Sequence, residues 1–243
     1  MGSSEPVVER WTPIEAKALL ECLGLEHSHL QEGGRPLVVA VDGRSGAGKS
    51  TLARRLAAAV PDTAVVATDD IAWHFSMFDW SAALISYVIE PVVRGEAVAY
   101  RPPGWIAKNR PGAVTVAPSR TMLVIEGVGS SQRALAGSID AAIWVQSDAD
   151  SARELGIARD IASAVNGDPA ASIRFWDDWA SAEEPFLERE APWSRADVMV
   201  AGVAGAYGAA NSSASDSGNI SSVLSISRVV PIRAATTASP GPV

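Results

Sequence analysis

Five apolar residues, LVVAV at 37–41, run straight into DGRSGAGKST at 42–51. A short apolar run rich in β-branched residues reads as a strand buried on both faces. Gly43, Gly46 and Gly48 then give the backbone access to positive φ, and STLARRLAAAV at 50–60 has helical composition. A buried strand that turns through glycines into a helix is how a parallel sheet covered by helices begins. The later sequence repeats the alternation. TAVVAT ends in Asp69 and Asp70, a helix is expected near 81–94, and TMLVIEG (121–127), AAIWVQ (141–146) and ADVMVAG (196–202) read as further strands. Helical sequence fills much of 148–188. No internal repeat is present.

The flanks differ from this centre. WTPIEAKALLECLGL opens with helix-start chemistry: Thr12 as a cap, Pro13 in the first turn and Glu15 completing a capping box. From about residue 203, Ser, Ala, Gly and Asn dominate, and a mobile tail is expected, within which VLSISRVV could form a short edge strand. The chain has 243 residues and a net charge of −8, which leaves no wide basic field for nucleic acid. Cys22 is the single cysteine, so an internal disulfide cannot form. The first ten residues have no apolar core of a signal peptide, and no apolar run approaches the ~20 residues of a membrane span. The expectation is a cytoplasmic protein that binds neither nucleic acid nor membrane; assembly into a homodimer stays open.

The glycine stretch has a more specific meaning. Gly43, Gly48, Lys49 and Ser50 fit G-x-x-x-x-G-K-[ST], the phosphate-binding P-loop. Its inward N–H groups form a concave anion site, and the following helix adds the positive end of its dipole. Gly43, Ser45, Gly46, Ala47, Gly48, Lys49, Ser50 and Thr51 are therefore the expected nucleotide-binding residues. Lys49 would reach the β- and γ-phosphates, and Ser50 would ligate Mg²⁺. ATP and Mg²⁺ are the implied cofactors. Asp69, just past the second strand, can take the proton of an attacking hydroxyl, with Asp70 in support. Glu126 ends the third strand and can hold Mg²⁺ through water or position Asp69, so Ser50, Asp69 and Glu126 form the expected metal set. Each acid also has a plain reading as a turn or strand-end residue.

VAVDGRSGAGKSTLA, VVATDD, LVIEGVG and a later ARD, in that order, resemble the uridine kinase and phosphoribulokinase group of P-loop kinases, over roughly residues 35–202. The resemblance implies an α/β fold: a P-loop three-layer sandwich with a parallel sheet, a lid, and an acceptor-binding insert. A kinase domain is expected over 35–203, and the flanking composition gives a helical extension over 1–34 and a low-complexity tail over 204–243. It also implies transfer of the γ-phosphoryl group of ATP to a hydroxyl of a small acceptor, nucleoside-like or otherwise polyhydroxylated, with Asp69 as base. The group's lid has arginines spaced R-x-x-R-R-x-x-R-D. Here ARELGIARD (152–160) keeps Arg159 and Asp160, has Leu155 and Gly156 where the central arginines would stand, and places Arg153 one position off the first. Arg159 joins Lys49 and Asp69 as a catalytic candidate, with Arg174 ranked below. Acceptor candidates are Asp70, Trp73, His74, Tyr100, Arg101 and Trp105, in an aromatic insert whose rings could equally be core. A natural-product phosphotransferase, a P-loop ATPase or switch, and a nucleotide-binding protein without an acceptor are the competing readings.

Overall fold

A computed structural model describes residues 4–23, 25, 34–202 and 223–227. In chain order they form β1 (Thr12–Glu15), α1 (Ala16–Cys22), β2 (Leu37–Gly43), α2 (Lys49–Ala59), β3 (Thr63–Ala67), α3 (Thr68–Ala72) and α4 (Ser81–Leu84). A π-helical turn, Ile85–Ile89, joins α4 to α5 (Glu90–Val93). Then come β4 (Val98–Tyr100), α6 (Pro103–Ala107), β5 (Val114–Val116), β6 (Met122–Glu126), β7 (Ala141–Gln146), α7 (Ala149–Ser163), α8 (Pro169–Glu190), β8 (Val198–Ala201) and β9 (Val223–Ser227).

The main sheet has the order β1-β9-β8-β7-β2-β6-β3. Its five strands β3, β6, β2, β7 and β8 are parallel, while β9 and β1 are antiparallel additions at one edge. Alternate residues of β2 face opposite layers. Val39 and Val41 pack with Leu52, Ala53 and Leu56 of α2 and Leu19 and Leu20 of α1. Val38 packs with Leu123, Ile125, Trp80, Leu84 and Val88 on the other side. The sheet is therefore covered on both faces, which explains why its central strands have no polar alternation. A third cluster sets Phe186 and Leu187 of α8 against Trp144 and Met199.

Two local expectations change. The helix start expected at Thr12 is a strand: Thr12–Glu15 pairs with β9, and α1 begins only at Ala16. Glu15 is extended (φ −79°, ψ 153°), and no side chain caps the helix. The ladder to β9 satisfies backbone groups that a capping box would have served, and Pro13, which has no N–H, is tolerated on the outermost strand. Val223–Ser227 lies inside the expected tail yet sits between β1 and β8, with Leu224 and Ile226 buried. The alternation VLSIS has one face to bury, and the open edge of β8 supplies the partner. The rest of the expected tail lies outside the described residues. The small hairpin β4–β5, with Val98 opposite Val116, had not been separated from the insert.

The register brings three strand ends level. Val41 of β2 and Ala67 of β3 both pair with Glu126 of β6. The glycine loop, Asp69 and Glu126 thus emerge side by side at the carboxyl edge of the sheet, where open parallel sheets bind ligands.

Candidate active site

The glycine loop is shaped by close approach. Gly46 and Gly48 have φ of 79° and 99°, and a Cβ on Gly46 would overlap the Ala152 carbonyl oxygen of α7. Gly48 stands at the N-cap of α2 in the left-handed conformation, where a side chain would add strain. Ala47 is buried, while Ser50 and Thr51 are exposed at the helix start. Lys49 is 8% exposed, and its Nζ donates to the Arg44 carbonyl across the loop at 2.8 Å. A buried ammonium that hooks its own loop, above the positive end of an eleven-residue helix, is a donor set that fits a phosphate chain.

The loop is anchored from below by Asp42, fully buried at the end of β2. Its Oδ1 accepts from the Gly43 and Gly129 amides at 2.8 and 2.9 Å, and its Oδ2 from the Ser131 amide and hydroxyl at 2.9 and 2.7 Å. Burial pushes its carboxyl above the usual range, and these four hydrogen bonds pull it back. Asp42 is a positioning group: it ties the glycine loop to the 129–131 loop.

Opposite Lys49, the Ser50 hydroxyl donates to Glu126 Oε1 at 3.0 Å. Burial pushes the Glu126 carboxyl up; Lys49, the Ser50 hydroxyl and Arg54 pull it down, and the negative charge of Asp69 pushes it further up. Asp69 therefore lies close enough to Glu126 for the two carboxylates to repel. Gly127 is needed here, because a Cβ would overlap the Thr68 hydroxyl at the start of α3. Asp69 itself is exposed on the first turn of α3. Among the described residues, no group of three or more His, Cys, Asp or Glu side chains could hold a metal ion alone. Ser50 and Glu126 supply hard oxygens, which suits Mg²⁺, an ion that keeps several waters and substrate phosphate oxygens.

The lid region is a helix pair. Asp148 caps α7 through the Ser151 amide, and Asp168, followed by Pro169, caps α8 through the Ala171 amide. Gly156 admits the Trp176 ring, which a Cβ would overlap. Trp176 Nε1 then donates to Asp160 Oδ2 at 2.9 Å. The arginines are engaged within the pair: Arg153 with Asp177 of α8, and Arg159 with its neighbour Asp160. Arg174 is exposed on α8. Glycine at 156, where the resemblance leads one to expect an arginine, therefore has a packing reason.

In the insert, Asp70 meets a residue that the sequence reading passed over. Arg110 Nη2 donates to Asp70 Oδ1 at 2.8 Å, and its guanidinium lies 3.6 Å from the Trp105 ring centroid and 5.1 Å from that of Trp73. Trp105 is buried, and its Nε1 donates to the Asp70 carbonyl. Arg101 donates to the Arg110 carbonyl at 2.9 Å. Trp73, Asp70, Arg101 and Trp105 are thus brought together around Arg110. His74 is exposed, edge-on to Trp73, with φ +51°. Tyr100 stacks instead on Tyr87, and burial raises its hydroxyl pKa. The signal for Arg110 was its place in KNRPG, inside the same aromatic insert.

No family model matches the chain, and no curated protein matches it. Solved structures do. One is a protein provisionally named a fructose transport system kinase, from Silicibacter sp. TM1040. It is 20% identical, with a TM-score of 0.53 over 73% of this chain and 95% of that one. Another, provisionally named a uridine kinase, from Bacillus stearothermophilus, is 17% identical, with a TM-score of 0.45 over 75% and 98% of the two chains. No helix among the described residues is long and apolar enough to cross a membrane. With a five-stranded parallel sheet in the order β3-β6-β2-β7-β8 and a glycine loop after β2, the chain has the fold of the P-loop kinases.

Proposed function

We propose that the protein is a small-molecule kinase, moving the γ-phosphoryl group of ATP to an acceptor hydroxyl. One observation carries the reading. Asp69, on the first turn of α3 just past β3, and Glu126, at the end of the adjacent β6, flank the glycine loop, with Glu126 bonded to Ser50 beside Lys49. A proton acceptor, a metal pair and a phosphate-binding lysine around one loop are what in-line transfer to a hydroxyl requires.

In this mechanism the loop amides and Lys49 bind the phosphate chain and neutralise charge on the transferred group. Ser50 and Glu126 would hold Mg²⁺, which would supply charge neutralisation at the phosphates when bound. Asp69 orients the acceptor hydroxyl and takes its proton. The acceptor lies over the insert, where Asp70, Arg101 and Arg110 offer polar contacts and Trp73 an aromatic face. These groups suit a polyhydroxylated or nucleoside-like molecule, natural products included.

A second reading, nucleotide binding without transfer, is favoured by the engagement of Arg153 and Arg159 with Asp177 and Asp160. ADP release measured against a panel of hydroxylated acceptors separates the two: stimulation by an acceptor means kinase, and none means binder. Asp69→Asn keeps the size of the side chain and loses the carboxylate. Single-turnover transfer should fall by roughly 10²–10⁴ while ATP affinity stays within a few-fold. Transfer as fast as the parent's would place the base elsewhere.

A further inference from the structure

Three consecutive residues of the glycine loop are held by three distant parts of the chain. The Arg44 guanidinium donates to Glu5 Oε2 at 3.1 and 3.2 Å, while Glu5 Oε1 accepts from Trp144 Nε1 at 3.0 Å. Gly46 lies against the Ala152 carbonyl of α7. Between them, the Ser45 amide donates to Glu183 Oε1 of α8 at 2.8 Å. This contact differs in kind from its neighbours. At Arg44 a buried side chain is paired, and at Gly46 two backbones touch. At Ser45 a carboxylate accepts from a main-chain N–H of an anion-binding loop.

Glu183 is 6% exposed and forms no ion pair among the described residues. A buried carboxylate without a cation needs another source of positive potential. Here the source is the same loop and helix dipole that would serve a phosphate. The side chain therefore stands as an internal anion at the rim of the nucleotide site. Its charge acts hardest on the ligand that brings the most negative charge to the loop. A nucleoside triphosphate brings one phosphate more than a diphosphate.

We propose that Glu183 is a specificity-determining residue that sets the relative affinity of the loop for nucleoside triphosphate and diphosphate, by contesting the Ser45 end of the loop with the terminal phosphate. The inference rests on the nucleotide-binding reading above. It also gives α8 a role that its acidic, amphipathic sequence does not announce.

The test uses the full chain with Mg²⁺. Dissociation constants are measured for a non-hydrolysable ATP analogue and for ADP, in the parent, in Glu183→Gln and in Glu184→Gln. Glu183→Gln keeps an oxygen that can accept from Ser45 and removes the charge. It should bind the ATP analogue about three- to tenfold more tightly, the scale of one unit charge near another across a partly solvated loop, with ADP affinity within about twofold. Glu184 is exposed one residue further on, so Glu184→Gln removes the same formal charge from α8 and should leave the ratio at the parent's value. If a thermal melt shows Glu183→Gln unfolded, Glu183→Asp carries the test: it withdraws the carboxylate by one methylene and should shift the ratio in the same direction by less. An unchanged ratio in the folded variant, or an equal change for both ligands, overturns the proposal alone. A parent that binds neither ligand overturns the nucleotide reading and the proposal together.

Discussion

The segment from β2 through the glycine loop into α2 and the helix pair α7–α8 touch each other at Gly46 and Ala152, yet they are specified differently. In the first, every functional group lies within a few residues of the next. Glycines permit the turn, the loop amides converge because the turn exists, and Lys49 and Ser50 follow at the start of the helix. In the second, the fate of each polar group depends on a partner a helix away. Arg153 meets Asp177, and Asp160 meets Trp176. A motif is readable when its chemistry is local. A departure from a motif, here Gly156, can record a packing contact instead of lost chemistry.

The largest effect is expected at Lys49. If the loop's function is local, Lys49→Ala should lower phosphoryl transfer by about 10²–10³, the loss expected for one preorganised donor. The unfolding temperature should stay near the parent's, because the partner of Nζ is a loop carbonyl that water can reach once the side chain is gone. Near-normal turnover with a responsive acceptor would remove the phosphate-binding assignment.

Gly156→Arg tests the helix pair. It restores an arginine at the position of the lid pattern, but its Cβ would overlap the Trp176 ring and disturb the Trp176–Asp160 hydrogen bond. Overpacking of this kind costs about 1–3 kcal/mol, partly offset by the better helix propensity of arginine. Denaturant unfolding reads the loss. A variant as stable as the parent, with faster transfer, would mean that the departure at 156 is catalytic and not structural.

The smallest effect belongs to Glu126, where the two regimes meet. Burial raises its folded carboxyl pKa above the unfolded value. The stability it contributes is therefore fully present below the unfolded pKa and is lost as pH rises through the folded pKa. Glu126→Gln should be close to neutral in acid and slightly stabilising at neutral pH, while the Mg²⁺ concentration needed for half-maximal transfer rises. Parallel melting curves from pH 4 to 8 check the sign; destabilisation that grows with pH would contradict it.

Much of the centre of the molecule was legible. LVVAV, TAVVAT, TMLVIEG, AAIWVQ and ADVMVAG all became strands of the parallel sheet: four are buried on both faces and cannot hide their apolar runs, while TAVVAT forms the half-exposed edge strand β3. The flanks were less so. TPIE reads as a helix start by local preference, and pairing with β9, more than 200 residues away in sequence, overrode it. Trp73, Trp80 and Trp105 look alike in sequence. Trp80 and Trp105 are buried, whereas Trp73 is only partly so and lies beside the Arg110 guanidinium. Glu183 had no signal at all: an acid on an acidic helix is ordinary until a loop amide is found 2.8 Å away.

Legible without any structure were the parallel sheet, the glycine loop, the acid just past β3 and the acid that ends β6. Each rests on short-range physics: burial period, the φ range of glycine, and the place of a polar residue at a strand end. Only the closed chain fixes which acids lie near the loop, which arginines are already paired, that Arg110 meets Asp70, and that Glu183 meets the Ser45 amide. These depend on which helix lies against which strand end, and a side chain's charge has no partner until the chain has closed around it.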